Sequence, residues 1–193
     1  MNTHVRDLKR GDCLSPTAPQ LLGNPLDFIH EDHLRERTIC AQMDGLAGAR
    51  TPDEEAAARV LGFLKKELPL HLEDEEEDLF PLLRRRCARE DEIGKVIDRL
   101  TSDHGHAGED APRVIVDLEA LQAGQSDLTR DMRERLARFA AHARRHLVLE
   151  NAIILPFARM RLTERDLETL RLRMMQRRGL DRSMEAPDAE RPD

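Results

Sequence analysis

At 193 residues, 39% apolar and 36% charged, the chain can bury one core without staples, and its balance excludes a disordered, collagen-like or disulfide-scaffold protein. Aromatic residues are only 3% and Tyr and Trp are absent, while Leu, Ala, Arg and Glu abound and Val and Ile are sparse, so the expected class is all-α. The net charge of -7 argues against a nucleic-acid partner, and no stretch approaches the roughly 18 apolar residues of a membrane span.

Cys13, Cys40 and Cys87 are scattered and form no C-x-x-C pair, which disfavours a thiolate zinc site. With no charged segment leading into an apolar run at the start, the chain is expected to be cytoplasmic and off the membrane. The basic runs Arg84-Arg85-Arg86 and Arg177-Arg178 read as solvated helix ends.

In chain order, residues 1–23 mix charge with Pro16, Pro19 and Gly23 and read as an irregular arm. Asn24-Pro25 is a cap followed by proline at the first helical position, opening a helix with Leu26, Ile29, His33, Cys40 and Met43 on one stripe. That helix should end near 45–48. Thr51-Pro52-Asp53-Glu54 starts a second, from about 52 to 87, with Val60, Leu64, Leu68, His71, Glu75, Leu79 and Leu82 at helical spacing. Pro69 and Pro81 should kink or interrupt it, and Glu73, Asp74, Glu76, Glu77 and Asp78 are expected in solvent.

A third helix, about 91–123, carries Ile93, Ile97, Leu100, His104, Ala107, Ala111, Val114, Leu118 and Leu121. Ser126 or Asp127 should cap a fourth, about 128–161, whose stripe runs through Met132, Leu136, Phe139, Ala143, His146, Glu150, Ile153, Phe157 and Met160. Thr163, with Asp166 three residues on, caps a last helix over 163–179, and residues 180–193 read as a disordered tail. The expected architecture is therefore an antiparallel up-down-up-down four-helix bundle over 24–162 with an additional C-terminal helix.

One motif is written twice: His71 and Glu75 followed by Leu79-Phe80-Pro81, and His146 and Glu150 followed by Ile154-Leu155-Pro156. His33 and His104, each preceded by Asp (Asp32 and Asp103), are spaced almost alike, so the chain reads as two helical hairpins related by a pseudo-twofold. Residues four apart on a helix share a face. Each His/Glu pair can therefore reach one point in the core, and the pseudo-twofold brings His33, His71, Glu75, His104, His146 and Glu150 together.

Carboxylates buried among Leu and Ile are costly unless something positive lies between them. A metal centre is the preferred reading, and a hydrogen-bonded polar core is the bland one. Mixed imidazole and carboxylate ligation suits iron, manganese or zinc. No Glu-x-x-His of the ferritin-like type and no H-E-x-x-H of a zinc protease is present.

This order of residues, spanning about 25–160, resembles the hemerythrin-like family of HHE cation-binding domains. The resemblance implies a four-helix bundle around two non-haem iron ions with an oxo or hydroxo bridge; manganese or zinc rank behind iron. Each iron would take two of His33, His71, His104 and His146, with Glu75 and Glu150 shared. The oxygen carriers of the family place a further histidine where Gly108 stands, and an aspartate five residues after the last histidine where this chain has Glu150 at four. Reversible oxygen carriage is thereby disfavoured, and a more open and more symmetric site is expected. Iron-cluster repair members bear an N-terminal cysteine segment, represented here by Cys13 alone.

His142, one turn before His146, is the best extra ligand or outer support, His30 is a weaker one, and His106 should be exposed. Glu36 could accept the outer N–H of a ligand histidine or pair with a surface arginine. The functional expectation is a protein that binds or reacts with O2, peroxide or NO in stress defence or sensing. The alternatives are an iron-sensing binder that signals to a partner through ordering of the bundle, and a helical interaction protein with a polar core.

Overall fold

A computed structural model describes residues 13–125 and 127–180, which are helix, turn and irregular chain with no strand among them. The expectations for residues 1–12, Ser126 and the tail 181–193 lie outside the described residues. Five long helices result: α1, Pro25–Gly48; α2, 54–86; α3, Ile93–Gln122; α4, 130–161; and α5, Glu164–Arg177. No helix among the described residues is long and apolar enough to cross a membrane.

The starts follow local chemistry. The Asn24 side chain accepts from the Leu26 N–H ahead of α1, Asp53 accepts from Glu55 and Ala56 ahead of α2, and Thr163 and Asp166 cap each other's backbone at α5. For α4 the cap is Thr129, whose hydroxyl accepts from Met132, and not Asp127. Asp127 instead binds the Leu128 N–H and Arg133. Met160, expected on the inner stripe of α4, is exposed.

Pro69 and Pro81 do not break α2. Three π-helical turns, Phe63–Glu67, Asp74–Leu79 and Glu150–Ile154, each end two residues before a proline, at Pro69, Pro81 and Pro156. A proline ring clashes with the carbonyl four residues back. Widening the turn moves that carbonyl aside, and the residue before each proline donates five residues back: Leu68 to Phe63, Phe80 to Glu75 and Leu155 to Glu150. Two of the three wide turns thus begin at or beside the paired glutamates of the repeated motif.

The apolar interior falls into two clusters. One joins Ile39, Met43 and Leu46 of α1 with Val60 and Leu64 of α2, Val114 and Leu118 of α3, and Leu136 and Phe139 of α4. The other joins Leu26 and Ile29 with Leu79 and Leu83, Ile97 and Leu100, Ile154 and Ala158, and Leu170 and Met174 of α5. Between them in sequence, on every one of the first four helices, lie the buried histidines and glutamates. The polar layer divides the core.

Two readings of charge need correction. Asp74 and Asp78 are not solvated; both are buried, because α5 lays its arginines over them. Arg178 donates to Asp74 at 2.6 Å, Arg177 donates to Asp74 and, at 2.7 Å, to Asp78, and Arg173 donates to Asp78 at 2.7 Å. Arg177 and Arg178 are therefore fasteners and not solvated ends, and the Arg178 guanidinium also lies 4.8 Å from the Phe28 ring centre. At the other end of α5, Arg86 grips Asp166 through two bonds of 2.7 and 3.0 Å.

Removing one side of a buried ion pair strands the other. Asp74→Ala should lower stability by about 3 kcal/mol in urea unfolding, whereas Glu77→Ala, on the exposed side of the same turn, should stay within about 0.5 kcal/mol.

Candidate metal centre

All six side chains singled out by the repeat converge, and all are buried: His33, Glu75 and Glu150 at 0%, His71 at 3%, His104 at 4% and His146 at 7% exposure. They form two groups whose donor atoms lie within 4.8 Å of one another: His33, His71, Glu75 and Glu150 in one, and Glu75, His104, His146 and Glu150 in the other. Both glutamates belong to both groups.

Each carboxylate splits its oxygens between histidines on different helices. Glu75 sets Oε1 3.6 Å from His33 Nε2 and Oε2 3.4 Å from His104 Nε2. Glu150 sets Oε2 3.4 Å from His33 Nε2 and Oε1 2.6 Å from His146 Nε2 and 3.8 Å from His104 Nε2. His71 Nε2 is 3.7 Å from Glu75 Oε2, and His104 and His146 bring their Nε2 atoms to 3.0 Å.

Despite this crowding, both oxygens of Glu75, both of Glu150, His33 Nε2 and His71 Nε2 have no hydrogen-bond partner among the described residues. Each orphaned buried polar group costs about 1–3 kcal/mol, and folded proteins leave few of them. Two ligands about 2.1 Å from one ion lie roughly 3.0–3.4 Å apart, close to several of the donor separations found here. The donor set fits two cations sharing two carboxylates.

The outer nitrogens of the rings are held in a crossed pattern. His33 Nδ1 donates to Asn151 Oδ1 at 3.2 Å, and Asn151 is the residue after Glu150. His104 Nδ1 donates to Glu76 Oε1 at 2.7 Å, and Glu76 is the residue after Glu75. These bonds fix the two rings with Nε2 facing the centre, the orientation metal-bound imidazoles require. Asp32 and Asp103 do not support the histidines that follow them. Each faces the histidine of the next helix, Asp32 Oδ2 at 3.6 Å from His71 Nδ1 and Asp103 Oδ2 at 3.9 Å from His146 Nδ1.

Sequence reading placed Glu76 in solvent and overlooked Asn151. Their shared offset from the paired glutamates was the available signal. His30 joins this outer layer by donating from Nδ1 to the same Asn151 oxygen at 3.1 Å. His142 stands in neither buried group; its Nε2 lies 3.3 Å from Asp103 Oδ1. Glu36 neither receives a ligand histidine nor pairs with an arginine. It is buried and faces a cavity of about 20 Å³ together with His104, His146, Leu68, Ala107 and Phe139. Gly108 is exposed and a Cβ there would meet open space, so the wall of this cavity one turn past His104 is Ala107.

Electrostatics tie the layer together. Burial alone would lower His33, His71 and His104, but Glu75 and Glu150 raise His33 and His104, the latter to about 10, and Glu75, Asp32 and Glu36 raise His71. Burial alone would raise the glutamates, and the imidazoles overcome it, lowering Glu75 and taking Glu150 well below the usual range. Glu36 is shifted the other way, raised by its burial.

The chain belongs to the hemerythrin HHE cation-binding domain family, whose model matches residues 24–158. No curated protein matches the chain at a significant level. Family and geometry agree on cation binding at a histidine and glutamate cluster.

Two outcomes follow from this arrangement. Glu75→Ala and Glu150→Ala should each reduce metal content, measured by elemental analysis, and lower the melting temperature of the metal-loaded protein; unchanged content in both would remove them from the site. The second concerns pH. In the metal-free protein the raised histidines contribute stability that is complete below their ordinary value of 6.5 and is lost as pH rises through their folded values, up to about 10 for His104. The lowered glutamates contribute stability present above 4.5 and lost as pH falls through their folded values. Metal displaces the imidazole protons and binds more tightly as pH rises. The gap in urea midpoint between metal-loaded and chelator-treated protein should therefore widen from about pH 6 to about pH 8.5; a constant gap would contradict proton displacement.

Proposed function

We propose that the chain is a non-haem di-iron protein that binds or reacts with O2, peroxide or NO in stress defence or sensing in the cytoplasm. The observation that carries this reading is the pair of four-residue groups sharing Glu75 and Glu150 beside a small, partly apolar cavity. In it, His33 and His71 would hold one ion and His104 and His146 the other, with Glu75 and Glu150 available to both, within helices running up-down-up-down. The mixed imidazole and carboxylate set suits iron, manganese or zinc, and the family favours iron among them. Two ions there would supply open coordination and electrons for a small oxidant.

The chain's own residues set what can approach. A cavity of about 20 Å³ has room for about one water-sized molecule, and Leu68, Leu72, Ala107, Phe139 and Ala143 exclude bulkier ones. Glu36, its acid form favoured by burial, is placed to donate a hydrogen bond to whatever occupies that space. Bonds from His33 to Asn151 and from His104 to Glu76 fix the rings so that Nε2 faces inward.

A second reading is an iron-responsive binder that signals to a protein partner. It draws on the wide turn at Asp74–Leu79, where Glu75 faces the centre while Asp74 and Asp78 hold the arginines of α5. A shift at Glu75 on metal binding would be felt at that helix.

Metal content per chain, followed by absorption spectra after separate additions of O2, peroxide and NO, tests the proposal. About two irons per chain and a charge-transfer band that changes with one of the three is the expected result. Fewer than about one iron after iron-replete expression, with no such band, would sink it. Full iron loading without any reaction with these ligands would favour the sensing reading.

A further inference from the structure

A third cluster lies outside the buried pair of groups. Asp103 and His106 sit three residues apart on α3, a spacing that puts them on one helix face, and His142 meets them from α4. One ligand atom from each lies within 4.8 Å of the others. His142 Nε2 is 3.3 Å from Asp103 Oδ1, and the His106 and His142 rings stand edge to face with centres 5.9 Å apart.

Unlike the inner six, these groups reach solvent: His106 is exposed, and the Asp103 and His142 side chains are 21% and 29% exposed. Asp103 and His142 also line the cavity shared with His104 and His146, and the second oxygen of Asp103 faces His146 Nδ1. Two imidazoles and one carboxylate that reach solvent form a donor set for a late first-row divalent ion, bound by three protein ligands and free to exchange.

We infer that Asp103, His106 and His142 form a third cation site, an outer station for a divalent transition metal at the mouth of the cavity that touches the buried centre. Its half-exposed ligands take an ion from water, and its neighbours across the cavity are two of the buried donors. The station stands on its own three residues and does not require the buried centre to hold iron.

Equilibrium dialysis of the full chain, with its buried centre first loaded with iron, against Zn²⁺ at neutral pH tests the site. One further Zn²⁺ per chain is expected, and H106A/H142A should weaken that binding at least about tenfold while leaving iron content and helicity unchanged. The absence of a third equivalent, or its survival in H106A/H142A and in H106Q/H142Q, overturns the site. Loss of iron in either double variant also overturns it, since those histidines would then belong to the inner centre. Glu75→Ala/Glu150→Ala separates this inference from the di-iron reading: Zn²⁺ should still bind once per chain there, sensitive to H142A, even where the inner centre is disabled. Stopped-flow uptake of Fe²⁺ by metal-free protein should be slower in H106A/H142A with the same end point; an unchanged rate overturns the station's place on the path.

Discussion

Two carboxylates with no exposed surface, set in the middle of a helical bundle, are the constraint from which the rest of the structure follows. Glu75 and Glu150 lie between two apolar clusters, too deep for water to solvate them and too close to each other to share a charge without help. Burial raises both, repulsion by Glu150 raises Glu75 further, and only the surrounding imidazoles reverse the shift. In a layer of this kind protons and cations would compete for the same imidazoles and carboxylates.

The backbone is fitted to that layer. Wide turns start at Asp74 and at Glu150, and each lets the chain pass a proline two residues beyond its end without losing the helix. A local packing problem set by Pro81 and Pro156 is thus solved at the same turns that present the shared carboxylates. On the outside of one of these turns, Asp74 and Asp78 bind the arginines of α5, so the helix that follows the bundle is anchored one residue from a buried donor. Stability of the docked helix and geometry of the centre are coupled through Glu75 and its neighbours.

What the sequence discloses and what it hides follow from the range of each interaction. Helix existence and the six buried donors were legible because they rest on spacings of three and four within one helix, repeated twice. The apolar stripes through His33, His71, His104 and His146 pointed inward for the same reason. The fate of Asp74 and Asp78 was hidden because their partners Arg173, Arg177 and Arg178 lie about a hundred residues later, and an acidic run without its partners looks like a solvated face. The prolines marked disturbance without saying which kind, since a kink and a wide turn both relieve the same clash. Glu36 was placed near the inner face correctly, but its surroundings, the edge of a cavity among four helices, depend on how those helices pack and not on any spacing along one of them.

The pseudo-twofold also proves less complete than the repeat in the sequence promises. Its crossed outer bonds are the most symmetric feature, joining His33 to the residue after Glu150 and His104 to the residue after Glu75. Yet one of those acceptors is the neutral amide of Asn151 and the other the carboxylate of Glu76. An anionic acceptor makes the imidazole behind it the stronger electron donor. The same half carries the cavity lined by Glu36 and the half-exposed cluster of Asp103, His106 and His142. A duplicated hairpin has therefore kept its inner six donors in matching order while the residues just behind them have diverged. That divergence gives the two halves different electronic surroundings and different access from solvent, with the His104 and His146 side the more strongly polarised and the one that borders open space.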